Sequence, residues 1–236
     1  MLTESQSERY SRQLLVDGFT EAHQQLLCEA SVMVIGAGGL GTAVLQYLNA
    51  AGVGKIAVVD KDTVQLSNLQ RQVIYTEAEL GIEKASLAAT YLKERNGDSL
   101  IEHFAIEWNL TSASKLAPDY DVLVDCSDNY HCRLVTDQIA IELNKPWVYA
   151  AVRGWEGQVT VFNYQGKHHY QQIFGLTDSV IPSTSKTEGV MGVTAAVAGS
   201  IQAAEAIKII TGQGEMLAGR ILQFSLKKNS FNLLEL

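Results

Sequence analysis

Residues 32–41 read VMVIGAGGLG, and Asp60 stands about twenty residues further along the chain. Val32, Met33, Val34 and Ile35 form a continuous apolar run into Gly36, Gly38, Gly39 and Gly41. Such a run predicts a strand buried on both faces. The glycines let the backbone turn tightly and approach a ligand phosphate. Leu40–Ala51 continues as a predicted helix whose N-terminal amides and positive dipole end face that phosphate. A second predicted strand, Lys55–Val59, ends at Asp60, where a carboxylate can accept hydrogen bonds from a ribose. The spacing G-x-G-x-x-G alone is shared by many nucleotide enzymes. With strand, helix and Asp60 in register, it points to a nucleotide site.

The chain has 236 residues, 47% of them hydrophobic and 19% charged, which suits one large α/β domain over residues 1–236. A net charge of −8 argues against general nucleic-acid binding. Three cysteines (Cys28, Cys126, Cys132) without C-x-x-C argue against a disulfide framework and a cysteine zinc site. MLTESQSERY at the start is polar and mixed in charge, unlike a signal peptide. Gly189–Ile210 is apolar but carries Gln202, Glu205 and Lys208, so a buried helix is expected rather than a membrane span. The expected location is cytoplasmic.

Ser5–Leu15 reads as a solvated helical face and Thr20–Ala30 as a short helix with Cys28 inward. After Asp60, the polar segment KDTVQLSNLQRQVIY places Asp62, Ser67, Asn68, Gln70, Arg71 and Gln72 in a loop following a parallel strand, where function concentrates. Arg71 offers a planar fork of donors suited to phosphate. Glu83–Arg95 is an expected helix with Ile82, Leu87, Tyr91 and Leu92 inward. Lys84 lies in its first turn, against the helix dipole, which suggests that it answers to something else. Ile101–Ile106 and Val122–Cys126 are the next strands, and the latter runs into Ser127, Asp128 and Asn129. Asp128 suits either a water-bridged magnesium ion or the cap of the helix Tyr130–Leu143. Trp147–Val152 is a fifth strand, Arg153–Gly157 a turn, and Gln158–Asn163 an antiparallel strand. Gln165–Glu188 is polar and poorly patterned, a loop of functional length. Its His168 and His169 read as a solvated pair that cannot easily share a metal. Gly189–Thr211 is a long helix, and Gly219–Ser225 with Phe231–Leu236 a closing hairpin. Cys126 and Cys132 read as core residues.

Six motifs occur in order: RYSRQ (Arg9–Gln13), GAGGLG (Gly36–Gly41), DKDTVQLSNLQRQ (Asp60–Gln72), the Lys84 helix, DCSDN (Asp125–Asn129) and GSIQAAEAIKIITG (Gly199–Gly212). Together they resemble the ThiF/MoeB/HesA family, bacterial relatives of ubiquitin-activating enzymes that adenylate the C-terminal glycine of a ubiquitin-like sulfur-carrier protein. The resemblance spans nearly the whole chain, and its most specific part is DxDxVxxSNLxRQ. It implies a Rossmann-like, doubly wound, mostly parallel sheet continued by antiparallel strands, and an ATP-dependent adenylyltransferase. By the same resemblance, Gly36, Gly38, Gly39 and Gly41 meet the phosphates and Asp60 the ribose. Asp62, Ser67, Asn68, Leu69, Gln70, Arg71, Lys84 and Asn129 complete the nucleotide site, and Asp128 positions magnesium. Arg12 is expected to reach the phosphates of the neighbouring subunit in a homodimer, which revises the solvated reading of its helix. The carrier is expected to end in Gly-Gly.

Two departures from the family pattern matter. Relatives with a structural zinc carry two C-x-x-C pairs; here the first place reads GKHHYQQ and the chain stops at FNLLEL, so no zinc is expected. Residues 164–189 contain no cysteine, so a covalent sulfur intermediate is not available there. Alternative readings are a nicotinamide-dependent oxidoreductase, since residues 36–60 fit that cofactor equally, and a non-catalytic binder of a ubiquitin-like protein.

Overall fold

In the computed structural model, which describes residues 2–175 and 189–236, one eight-stranded sheet runs through the protein in the order β3-β2-β1-β4-β5-β6-β7-β8. The strands are β1 (Ser31–Ile35), β2 (Lys55–Val59), β3 (Leu100–Phe104), β4 (Val122–Asp125), β5 (Trp147–Arg153), β6 (Glu156–Phe162), β7 (Arg220–Ser225) and β8 (Ser230–Glu235). The first five pair in parallel, and β6, β7 and β8 extend the sheet antiparallel.

Alternation along each central strand sorts its side chains between two cores. Val32 and Val34 join one cluster with Ile56, Val58, Val122, Val124 and Val148. Met33 and Ile35 join the other with Ala57, Val59, Leu123, Trp147 and Tyr149. Both faces are apolar because helices cover both, as a doubly wound sheet requires. On the first face lie α3 (Gly39–Ala51), α4 (Lys84–Arg95) and α8 (Gly192–Thr211), and on the second α5 (Leu110–Leu116), α6 (Tyr130–Leu143) and the short α7 (Tyr170–Phe174). Two helices, α1 (Glu4–Arg9) and α2 (Glu21–Glu29), precede β1. α3 stops at Gly52, whose left-handed φ of 90° terminates the helix. It packs Leu45 and Leu48 fully out of water. Truncating Leu48 to Ala would cost about 2–5 kcal/mol.

Several sequence expectations shift. The first helix ends at Arg9 rather than Leu15, and Tyr10 turns into the core. Cys28 is half-buried; Gln24 and Leu27 fill the inward face of α2. Ile82 is exposed, because it precedes α4 in the bridge region beside Val64, and small alanines (Ala85, Ala88, Ala89) make the inward face instead. Arg153 and Glu156 pair in the sheet, so the turn shrinks to Gly154–Trp155. The third strand is Leu100–Phe104, and α5 between β3 and β4 lay unread in the sequence. Within Gln165–Glu188, Tyr170–Phe174 is helical, because the Asp137 carboxylate accepts the Tyr170 and Gln171 N–H groups; residues 176–188 lie outside the described residues. α8 is the one helix among the described residues long and apolar enough to cross a membrane. It buries Gln202 and Glu205, and Gln202 donates to the carbonyls of Asp125 and Val148.

After β1 the chain winds outward to β2 and β3, then returns to β4 on the other side of β1. Ligands of open α/β sheets bind at this switch point, outside the carboxyl ends of β1 and β4.

Candidate active site

At the carboxyl end of β1, Gly36 has φ 95°, and a Cβ there would lie 2.9 Å from the Cys126 carbonyl oxygen that follows β4. The two turns of the switch point are therefore in contact. A Cβ on Gly41 would fall 1.9 Å from the Gly36 carbonyl oxygen, so only glycine lets α3 start this close to the strand. Gly38 occupies the N-cap of α3, and no side chain among the described residues caps the helix. Its first-turn N–H groups are left to a ligand, the arrangement that binds phosphate.

Asp60 at the end of β2 is half-buried. Its Oδ2 accepts the Ala37 N–H at 2.7 Å and its Oδ1 the Asp62 N–H at 2.8 Å. Burial pushes its pKa up, opposed by those two N–H groups and by Lys84. The carboxylate thus braces the glycine turn and keeps further acceptor capacity for a ribose hydroxyl. Tyr75, which sequence reading passed over, shares its buried hydroxyl between the carbonyls of Ala37 (3.0 Å) and Lys84 (3.2 Å). It ties the glycine turn to the start of α4 and so places Lys84. The Lys84 side chain is 7% exposed, and its Nζ lies 3.5 Å from Asp62 Oδ2.

Residues 66–68 form a single 3₁₀ turn. Asn68 Oδ1 accepts the Gln65 N–H, and the Arg71 guanidinium donates to the Ser67 carbonyl. Arg71 packs on the glycine turn: its Cγ is 3.2 Å from where a Cβ on Gly39 would stand. Gln72 is buried there, its Oε1 without a partner among the described residues. Ser67 and Gln70 are exposed, whereas the Leu69 side chain turns into the core and leaves only its backbone to a ligand. A groove of ≈ 890 Å³ begins at Gly39 and Arg71 and follows α3 to Asn96.

After β4, the choice between metal residue and helix cap for Asp128 resolves on one point. The cap of α6 is Asn129, whose Oδ1 accepts the Cys132 N–H at 2.9 Å. Asp128 is exposed and makes no hydrogen bond or ion pair among the described residues. Asp125, fully buried, accepts from Ser127 N–H, Ser127 Oγ and Thr136 Oγ1. It is spent on the turn, so a cation here would meet one free protein carboxylate, as magnesium bound chiefly through phosphates requires. Cys126 is buried, and Cys132 half-buried with its thiol pushed up to about 11 by burial and Asp125, so neither is a ready nucleophile.

Arg12 is not with the other candidates. The Tyr10 ring stands over Gly52 and Gln13 donates to the Ala51 carbonyl, so the Arg12 segment sits at the C-terminal end of α3. Gly39 is at the other end, about 18 Å away along the helix. His168 and His169 are half-buried rather than solvated; His169 precedes α7, its Nδ1 without a partner among the described residues. No cluster of three or more metal-ligating His, Cys, Asp or Glu side chains occurs among the described residues.

Fold and site define a Rossmann-type α/β protein with two cationic side chains, Arg71 and Lys84, set beside its glycine turn. The sequence profile of the ThiF family matches residues 10–236, and the chain belongs to that family. It is 39% identical over 239 residues to a sulfur carrier protein adenylyltransferase of Thermus thermophilus, covering 98% of this chain and 88% of that protein. A probable molybdopterin-synthase adenylyltransferase of Porphyra purpurea is 37% identical over 94% of this chain, and an adenylyltransferase and sulfurtransferase (MOCS3-1) of Zea mays 40% over 92%. The chain spans 59% and 46% of those two proteins. In fold it resembles E. coli MccB solved with ATP, with TM-score 0.82, 22% identity, and coverage of 96% of this chain and 71% of that one.

Proposed function

We propose that this protein is an ATP-dependent adenylyltransferase that activates the C-terminal carboxylate of a ubiquitin-like sulfur carrier. The observation that carries the reading is the pairing of an uncapped helix N-terminus with two cations, Arg71 packed on the turn and Lys84 buried beside it. A dinucleotide reductase would use the glycine turn and Asp60 but has no work for these cations. Relatives over 90% or more of the chain are named as adenylyltransferases, one of them for a sulfur carrier protein.

In this reading the glycine turn holds the phosphates and Asp60 the ribose. A carrier carboxylate oxygen attacks the α-phosphorus, the bond to the bridging oxygen breaks, and pyrophosphate leaves. Negative charge grows on the phosphoryl oxygens, and Arg71, Lys84 and the α3 amides are already in place to meet it. Magnesium, held by Asp128 and the phosphates, would add charge neutralisation. Residues 1–236 act as a single catalytic domain, with no zinc, which elemental analysis of purified protein checks.

The position of Arg12 supports a homodimer with shared sites. The residue is exposed, without a partner among the described residues, and beyond reach of its own glycine turn. A second subunit is the source that would bring such an arginine to the phosphates. ATP–pyrophosphate exchange with a carrier ending in Gly-Gly tests the reaction.

A further inference from the structure

Arg133 is buried one turn into α6, at 7% exposure. A guanidinium does not give up its proton, so its burial is costly unless a carboxylate pairs with it. Among the described residues it forms no ion pair. Asp125, a buried carboxylate whose charge acts on the guanidinium, makes no ion pair with it and has its oxygens spent on Ser127 and Thr136. The guanidinium instead lies 5.2 Å from the Tyr149 ring centre and 5.6 Å from that of Tyr130. Its Nε is buried without a partner among the described residues. A methionine would fill the same space without an orphaned donor, so packing alone does not account for the charge.

The one hydrogen bond Arg133 makes to the backbone among the described residues indicates its use. Its Nη2 donates to the Ser127 carbonyl at 3.2 Å. The Ser127 N–H is held from the other side by Asp125 Oδ1 at 2.9 Å. Both peptide groups of Ser127 are thereby pinned, and Asn129 is pinned in turn by its cap bond to Cys132. Asp128 sits between these fixed residues as the free side chain of the turn. The turn rests on the glycine turn, since a Cβ on Gly36 would lie 3.3 Å from the Ser127 nitrogen. A rotation of the Ser127–Asp128 peptide would therefore swing the Asp128 carboxylate relative to bound phosphates.

We propose that Arg133 is a positioning residue: by holding the Ser127 carbonyl it fixes the direction in which Asp128 presents its carboxylate to a nucleotide-bound divalent cation. The inference rests on the adenylation reading above. Partners one step removed from a metal ligand change metal affinity or activity by about 10–100-fold when lost.

The test compares wild type, Arg133→Met, Arg133→Lys, Asp128→Ala and the double variant Arg133→Met/Asp128→Ala. Calorimetric titration with ATP is run in magnesium and in EDTA, beside thermal melting and pyrophosphate exchange. Arg133→Met should melt at or above the wild-type temperature and bind ATP normally in EDTA. Its gain in ATP affinity from magnesium should shrink as it does in Asp128→Ala, and exchange should fall about 10–100-fold. The double variant should lose no more than Asp128→Ala alone, and Arg133→Lys, with one donor left for Ser127, should recover part of the loss. A wild-type magnesium response in Arg133→Met, or losses that multiply in the double variant, would overturn the inference. If Arg133→Met does not fold, Arg133→Lys alone and combined with Asp128→Ala decides by the same criteria. Asp128→Ala inactive with Arg133→Met normal removes only this inference, whereas Asp128→Ala with full exchange removes the adenylation site itself.

Discussion

The Lys84 ammonium lies 3.5 Å from the Asp62 carboxylate, yet the lysine side chain is 7% exposed and the aspartate 60%. A buried cation is here tethered to a partner that water can claim. An incoming phosphate can replace Asp62 without stranding either charge, which is the property a triphosphate site needs. Lys84→Met should therefore fold, because its four-carbon stem packs in the core. It should lose pyrophosphate exchange by about 10²–10³-fold, the usual loss for one donor aimed at developing charge. Steady-state exchange beside a melting curve separates that result from simple unfolding.

Thiols should be dispensable. Replacing Cys28, Cys126 and Cys132 together by Ser or Ala should leave adenylate formation intact, apart from any folding loss at the buried Cys126. In the folded protein, alkylation of Cys132 should stay slow at neutral pH and rise toward a midpoint of about 11, where burial has pushed its thiol. A single cysteine whose loss abolishes exchange in a folded protein would show that the reaction needs a covalent sulfur step.

Much of this was legible in residue order alone. VMVIGAGGLG gave β1, the turn and α3, because a two-face-buried strand admits no polar interruption and the turn needs its glycines. What escaped were partnerships made across the fold. Nothing in residue order singles out Tyr75, whose hydroxyl donates to the Ala37 and Lys84 carbonyls. Ile82 reads as the first inward residue of α4, but its carbonyl accepts from Val64 and its side chain faces out. Asp128 reads as a cap of α6, but the geometry gives the cap to its neighbour Asn129. His168 and His169 look solvated by their neighbours, although the chain folds them against Gly219 and the start of α7. A one-dimensional pattern carries periodicity well and long-range hydrogen bonds hardly at all.

The shared site has its own test. Arg12→Ala and Asp128→Ala should each fold and dimerise but lose adenylation. Mixed and re-equilibrated, they should form heterodimers in which one site is intact and the other carries both lesions. Activity should return toward about half of the wild-type rate in those heterodimers, as expected for residues that act as one unit. Confirmed heterodimers without recovery would place Arg12 outside its partner's site.

The most direct measurement is ATP–pyrophosphate exchange with purified protein, with and without a ubiquitin-like carrier ending in Gly-Gly. Labelled pyrophosphate should enter ATP only when the carrier is present. A carrier lacking its final glycine should support none, and Arg71→Ala should reduce exchange by about 10²–10³-fold. Exchange that ignores the carrier tail, or none with any carrier while the protein reduces a nicotinamide cofactor, would contradict the assignment.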